Sequence, residues 1–337
     1  MKRYVIAAGA LAPAALLFAA AANSAKPPKE PLGLLPMTWP ADNPYSAEKA
    51  SLGKLLYFDA RLSADGSVSC ATCHAPKFGF TDGAPVSTGI HGQKGGRSAP
   101  TIINRGWSLA QFWDGRAGTL EEQALGPMAN PIEMGNTHDA IVEKVRGIPG
   151  YRPLFQSAFG GDAITIDRVA KAIATFERTV MSGNSPYDRW NAGQKNAMSD
   201  SAVRGYHVFQ QAQCDACHEG VNFTSNMYAN IGVGMDKPDP DLGRYAITKN
   251  PADWGAFKTP TLREVEHTGP YMHDGSIKTL EEVVDYYDKG GTPNKNLDTH
   301  IRPRHLTALQ KADLVAFLKA LSGTGWQNIA APASFPQ

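Results

Sequence analysis

Two five-residue stretches, Cys70-Ala71-Thr72-Cys73-His74 and Cys214-Asp215-Ala216-Cys217-His218, use all 4 cysteines of the chain. Their spacing suits covalent haem attachment. Two thiols separated in this way can form thioethers to the vinyl groups of one haem, while the next histidine reaches the iron from the proximal side. Two disulfides, or a redox Cys-x-x-Cys pair, would leave both histidines without a task. The pattern therefore predicts two haem c groups, one at Cys70, Cys73 and His74 and one at Cys214, Cys217 and His218.

An internal repeat lets the two sites be compared. Residues 99–122, APTIINRGWSLAQFWDGRAGTLEE, align without a gap to residues 259–282, TPTLREVEHTGPYMHDGSIKTLEE, a separation of 160 residues. Each copy follows its own cysteine motif and leads into a helix. In the second copy Thr279 and Glu282 form a capping box and Gly290-Gly291 the stop. Leu280, Val283, Val284 and Tyr287 recur at i, i+3, i+4 and i+7, which turns Tyr287 inward and leaves Tyr286 off the stripe. A buried phenol needs a partner.

The register pairs Tyr287 with Pro127, which has no donor for iron and is expected to break the helix. If this helix faces the open side of each haem, Tyr287 caps the C-terminal iron and the N-terminal iron stays available for exogenous chemistry. Met272, Met235 and His273 are rival ligands, because methionine commonly partners histidine on iron. A core tyrosine bonded to a carbonyl or haem propionate is another reading of Tyr287. His273 occupies the slot of Trp113, which favours a packing or propionate role for it.

Helices must position these groups. SAEKASLGKLLYF reads as one, and ITIDRVAKAIATFERTVM as another, with Ile166, Val169, Ile173, Phe176 and Val180 on one stripe. A helix over SDSAVRGYHVFQQ leads into the second motif. LTALQKADLVAFLKALSG places Leu306, Leu309, Leu314, Phe317, Leu318 and Leu321 in helical spacing. KPPKEPLGLLP reads as an extended arm and SGNSPYD as a linker. The expected fold is mostly α with long loops: two c-type cytochrome domains, residues 26–185 and 186–337, each with one haem and related by the repeat.

A formal net charge of +1 gives no polyelectrolyte signature, so neither nucleic acid nor a membrane surface is favoured as a partner. Residues 1–25, with Lys2 and Arg3 before an apolar run and small residues at its end, read as a secretory signal peptide, which places the mature chain in the periplasm.

With SCATCHAP, FWDGRAGTLEEQALGP, NPIEM, FKTPTLREVEHTGPYMHDGS and TLEEVV in this order, the sequence resembles the bacterial di-haem cytochrome c peroxidase and MauG family over nearly the whole mature chain. The resemblance implies that His74 is the proximal ligand of a peroxidatic haem, with Gln123 and Glu133 in its distal pocket. It makes His218 the proximal ligand of an electron-transfer haem and Trp113 the tryptophan between the two. Tyr287 stands where typical peroxidases carry methionine and MauG carries tyrosine. His91 resembles the histidine that caps the peroxidatic haem in some resting peroxidases.

A family calcium site implies carbonyl ligands from Thr268 and Pro270, with Ser98 in place of the usual asparagine. Ala212 stands where MauG has a surface tryptophan that draws electrons from a protein substrate. The implied activity is reduction of hydrogen peroxide with electrons from a small cytochrome c or cupredoxin, and a homodimer is the family's expectation. Glu133 is the implied acid/base and Gln123 a positioning donor. A tyrosine ligand should stabilise higher oxidation states, so the haems are expected to share a two-electron-oxidised state. A MauG-like oxidase of a partner protein and a plain electron-transfer cytochrome are the alternatives.

Overall fold

Hydroxyl side chains start most of the helices. Ser46, Thr119, Thr137, Thr165, Ser185, Ser199, Thr279 and Thr307 each accept a hydrogen bond from the backbone N–H three residues on. Such a cap contributes about 1 kcal/mol. The computed structural model describes residues 26–337, so the leader expected over residues 1–25 lies outside the described residues.

In chain order the helices are α1 (Ala47–Phe58), α2 (Cys70–Cys73), α3 (Leu120–Ala129), α4 (His138–Arg146), α5 (Tyr151–Phe159) and α6 (Ile166–Arg178). They continue with α7 (Pro186–Asn191), α8 (Asp200–Gln211), α9 (Tyr245–Thr248), α10 (Leu280–Asp288) and α11 (Ala308–Lys319). Strands β1 (Tyr228–Ala229) and β2 (Phe257–Lys258) pair antiparallel with Tyr228 opposite Lys258. The chain is helix-rich with long loops, and no helix among the described residues is long and apolar enough to cross a membrane.

Two apolar cores form around two helix crossings. In the first, α1 meets α6 at Gly53, where a β-carbon would stand 1.9 Å from the Ala172 carbonyl oxygen, and Phe176 packs alongside. In the second, α8 meets α11 at Gly205, with the same 1.9 Å approach to the Asp313 carbonyl and Phe317 alongside. Only glycine lets two backbones come this close. Leu52, Leu56, Tyr57, Phe155, Val169 and Ile173 fill the first core, and Phe209, Phe223, Leu314, Leu318 and Leu321 the second.

Positions 160 residues apart also share backbone geometry. Gln111 bridges to Ala117 as Tyr271 does to Ile277, and Phe112 and Met272 both have positive φ, 65° and 74°.

The segment read as a linker is held on both sides. The Asn104 side chain bonds the backbone N–H and carbonyl of Ser182 at 2.9 Å each, and the Ser182 hydroxyl donates to Glu264. Asp188 receives Arg263 at 2.8 and 2.9 Å, with both side chains buried. The N-terminal arm lies across this joint, its Gly33 carbonyl accepting from Arg263 at 3.1 Å. After α11 the tail returns to the first core, where Trp326 packs on Phe80.

Three expectations are corrected. Pro127 does not end α3, which continues to Ala129; the proline removes the helical donor to the Gln123 carbonyl without stopping the last turn. Val180 is buried but lies beyond the end of α6, which is capped at Thr179. Leu309 is 63 % exposed. It stands five residues before Leu314, about 140° around the helix from the buried stripe.

Candidate haem sites

Both Cys-x-x-Cys-His segments wind into one tight turn. Cys70–Cys73 forms α2, begun by a Ser69/Thr72 capping box, and Cys214–Ala216 forms a 3-10 turn. In each, the histidine N–H donates to the first cysteine's carbonyl at 2.9 Å, His74 to Cys70 and His218 to Cys214. The two cysteines and the histidine are thereby gathered at one corner, and among the described residues all four cysteines are free thiols.

The imidazoles are oriented alike. Nδ1 of His74 lies 3.3 Å from the Phe80 carbonyl oxygen and Nδ1 of His218 lies 3.0 Å from that of Phe223. A proton on Nδ1 leaves Nε2 free to ligate a metal, the usual way an outer hydrogen bond fixes a ligand's tautomer. Burial lowers the pKa of His74 and pushes that of His218 down to about 4, so both rings are neutral, as a metal ligand must be. Burial also raises all four thiols, Cys73 to about 11 and Cys214 to about 12. They are not thiolates, as a redox pair or metal thiolate site would need.

Cys214, Cys217 and His218 open into a cavity with about 240 Å³ of space open to the centre of a water molecule. Tyr287 from α10 lines it too, as do Trp113 and Met272. The two tyrosines of α10 differ. Tyr286 donates to the Ile231 carbonyl at 2.9 Å, whereas the Tyr287 hydroxyl has no hydrogen-bond partner among the described residues. Burial raises the Tyr287 phenol and keeps it protonated.

The rival ligands separate. Met272 lines the cavity. His273 also lines it but stacks on Phe257, ring centroids 3.7 Å apart, and burial lowers it to about 4. Met235 is not among the lining residues; its sulfur lies beside Gly255. Trp113 donates Nε1–H to the Ser98 carbonyl at 2.8 Å, and its own carbonyl receives the Lys258 N–H at 2.7 Å. Ser98, Thr268 and Pro270 share the cavity wall, and Ala212 is a buried part of it.

At the first motif the structure brings Glu133 close enough for its charge to act on Cys70 and Cys73. The Asn130 amide donates to its carboxylate at 2.7 Å. Burial raises the Glu133 pKa, against the opposing pull of Arg116 and Asn130. Gln123 is half-buried on α3, and its amide makes no hydrogen bond among the described residues. His91 is exposed, with Nδ1 3.6 Å from Asp65 Oδ2. Its loop meets the Glu133 turn through the backbone, Ile90 N–H donating to the Glu133 carbonyl at 2.9 Å.

Among the buried ionisable residues that the sequence does not mark are Arg105, Glu177 and Lys258. Nothing in their local spacing marks them, because burial of a charged side chain depends on elements distant in sequence. Arg105 could have been noticed inside the repeat.

Two Cys-x-x-Cys-His turns, neutral histidines and a cavity beside one of them fit a c-type cytochrome arrangement. The family model for di-haem cytochrome c peroxidase matches residues 47–196. The methylamine utilization protein MauG of Methylophilus methylotrophus is 42 % identical over 298 residues, 87 % of this chain and 88 % of its own. The cytochrome c551 peroxidase of Nitrosomonas europaea is 42 % identical over 285 residues, 84 % of this chain and 82 % of its own. A crystal structure of a MauG-like protein associated with microbial copper homeostasis superposes with a TM-score of 0.82 at 36 % identity, covering 90 % of this chain and 96 % of that one. The chain belongs to the di-haem cytochrome c peroxidase family and is a peroxidase-type oxidoreductase; membership implies haem c as its cofactor.

Proposed function

We propose that this chain reduces hydrogen peroxide in the periplasm, at a haem c attached to Cys70 and Cys73 with His74 as proximal ligand. A second haem c would be held by Cys214, Cys217, His218 and Tyr287 and would supply the redox centre that receives electrons from a small cytochrome c or cupredoxin. Residues 26–185 and 186–337 then carry one haem each as diverged copies of one unit. The observation that carries this reading is the contrast across matching helices: an unpartnered tyrosine hydroxyl at 287 and a proline at 127.

Haem, when bound, supplies the redox-active iron. The chain supplies proton handling and electron supply. Turning one peroxide into two waters takes two electrons and two protons, and the proton on the attacking oxygen has to move to the leaving one. Glu133 suits that transfer, since Asn130 holds one carboxylate oxygen and burial raises its pKa above the ordinary carboxylate value. Gln123, with no protein partner among the described residues, has donors free to orient the peroxide. Trp113, held by Ser98 and lining the second cavity, is the aromatic path for electrons.

His91, exposed beside Asp65, caps the first iron only if its loop rearranges. A calcium ion belongs to the proposal through the shared wall position of Thr268, Pro270 and Ser98. Ala212, 6 % exposed, provides no surface aromatic for drawing electrons from a protein substrate, so small-molecule peroxide reduction is preferred to protein oxidation. Electron paramagnetic resonance of the ferric protein tests the assignment. One high-spin and one low-spin haem per chain are expected, with peroxide turnover; two low-spin haems without turnover would make it an electron-transfer cytochrome.

A further inference from the structure

Lys258 and Arg105 are basic side chains inside the protein without an anion to meet them. Lys258 is 4 % exposed, and its ammonium has one contact, the Thr259 carbonyl oxygen at 3.4 Å. Arg105 is 8 % exposed and donates to the Gln111 amide oxygen at 2.7 and 3.1 Å and to the Ala110 carbonyl at 3.3 Å, all neutral acceptors. Burial lowers Lys258 to about 6 and Arg105 to about 10, and the arginine's charge lowers the lysine further.

The nearest acids do not resolve this. Glu177 acts on Arg105, but burial holds its own carboxyl up at about 8, so near neutral pH it is largely uncharged. Asp288, the acid on the cavity wall, is already taken by Lys311 at 2.6 Å. A buried base of this kind takes up its charge where an opposite charge arrives to pair with it.

Both side chains line the cavity that holds Cys214, Cys217, His218 and Tyr287. They also flank a narrow pocket of about 10 Å³ walled by Asn222, Thr224 and Asn226, about the size for one water. We propose that Lys258 and Arg105 together receive the two carboxylates of the haem attached at Cys214 and Cys217, acting as positioning residues. This rests on the haem reading above. Arg105 also acts electrostatically on His74, so it lies within reach of both proximal histidines.

The test is a spectroelectrochemical titration of the holoprotein and its Lys258→Met, Lys258→Arg and Arg105→Gln variants. Ferric haem carries one more positive charge than ferrous, so removing a neighbouring cation favours the ferric state. Lys258→Met is expected to move the C-terminal haem toward ferric about tenfold, about 59 mV for one electron. Lys258→Arg should stay near the parent, and Arg105→Gln should shift in the same direction as Lys258→Met. Resonance Raman should show the propionate bending band altered in the two charge-removing variants alone. Two haems per chain with unchanged potentials and propionate bands in both would overturn the anchor while leaving the haem reading intact. Fewer than two haems in the parent, counted as pyridine haemochromes, would remove the haem reading itself.

Discussion

Helices α3 and α10 begin alike and finish differently. Each starts at a threonine cap whose hydroxyl accepts from the glutamate three residues on, and that glutamate bonds back to the N–H one residue before the cap, Glu122 to Gly118 at 2.7 Å and Glu282 to Lys278 at 2.8 Å. Seven residues into the shared pattern one presents Pro127 and the other Tyr287. On the proposed reading, this one changed side chain in a common frame closes one haem site and leaves the other open.

A second difference sits at the helix crossings. Phe176 and Phe317 pack at Gly53 and Gly205 in the same way, but the residue after each is Glu177 in the first core and Leu318 in the second. The half proposed to do chemistry thus carries an ionisable group where the other carries only packing.

The comparison can be broken most severely at the proton carrier. Glu133→Gln should lower peroxide turnover by about 10²–10⁴-fold with haem content unchanged, measured by steady-state kinetics; an equal loss of haem would move Glu133 to a structural role. Tyr287→Phe should convert the low-spin ferric signal into a second high-spin one. Pro127→Tyr tests the reverse, and is expected to reduce the original high-spin signal and slow turnover.

Gly53→Ala and Gly205→Ala should each destabilise by about 1–3 kcal/mol through overpacking, read as a lowered midpoint in urea. Equal costs would support equivalent crossings. The pH-dependent comparison concerns Glu177, whose folded pKa is raised from 4.5 to about 8 by burial. Its contribution to stability is fully present below pH 4.5 and is lost as pH rises through about 8. Urea midpoints of Glu177→Gln should therefore vary less between those values than the parent's, and Leu318→Val should leave that pH dependence unchanged.

Much of the frame was legible because it is local. Capping boxes, the glycine stop after Tyr287 and the two cysteine motifs act over three to five residues, and α1, α8 and α10 lie where their periodicity and caps put them. Pro127 misled because the cost of a proline falls on one hydrogen bond near the helix end, which neighbouring turns tolerate. Leu309 departs from the buried stripe because the angle around the helix axis, and not the mere recurrence of leucines, decides which side a residue faces.

By itself, the sequence determined the two Cys-x-x-Cys-His motifs and the placing of Tyr287 and Pro127 160 residues apart in matching segments. Tertiary structure decided which polar groups are left without partners. Whether Tyr287 is free while Tyr286 is bonded, whether His91 is exposed beside Asp65, and whether Lys258 and Arg105 are buried in one cavity all depend on contacts between segments far apart in the chain. Desolvation is a property of the assembled neighbourhood, and no residue carries it in its own type or spacing.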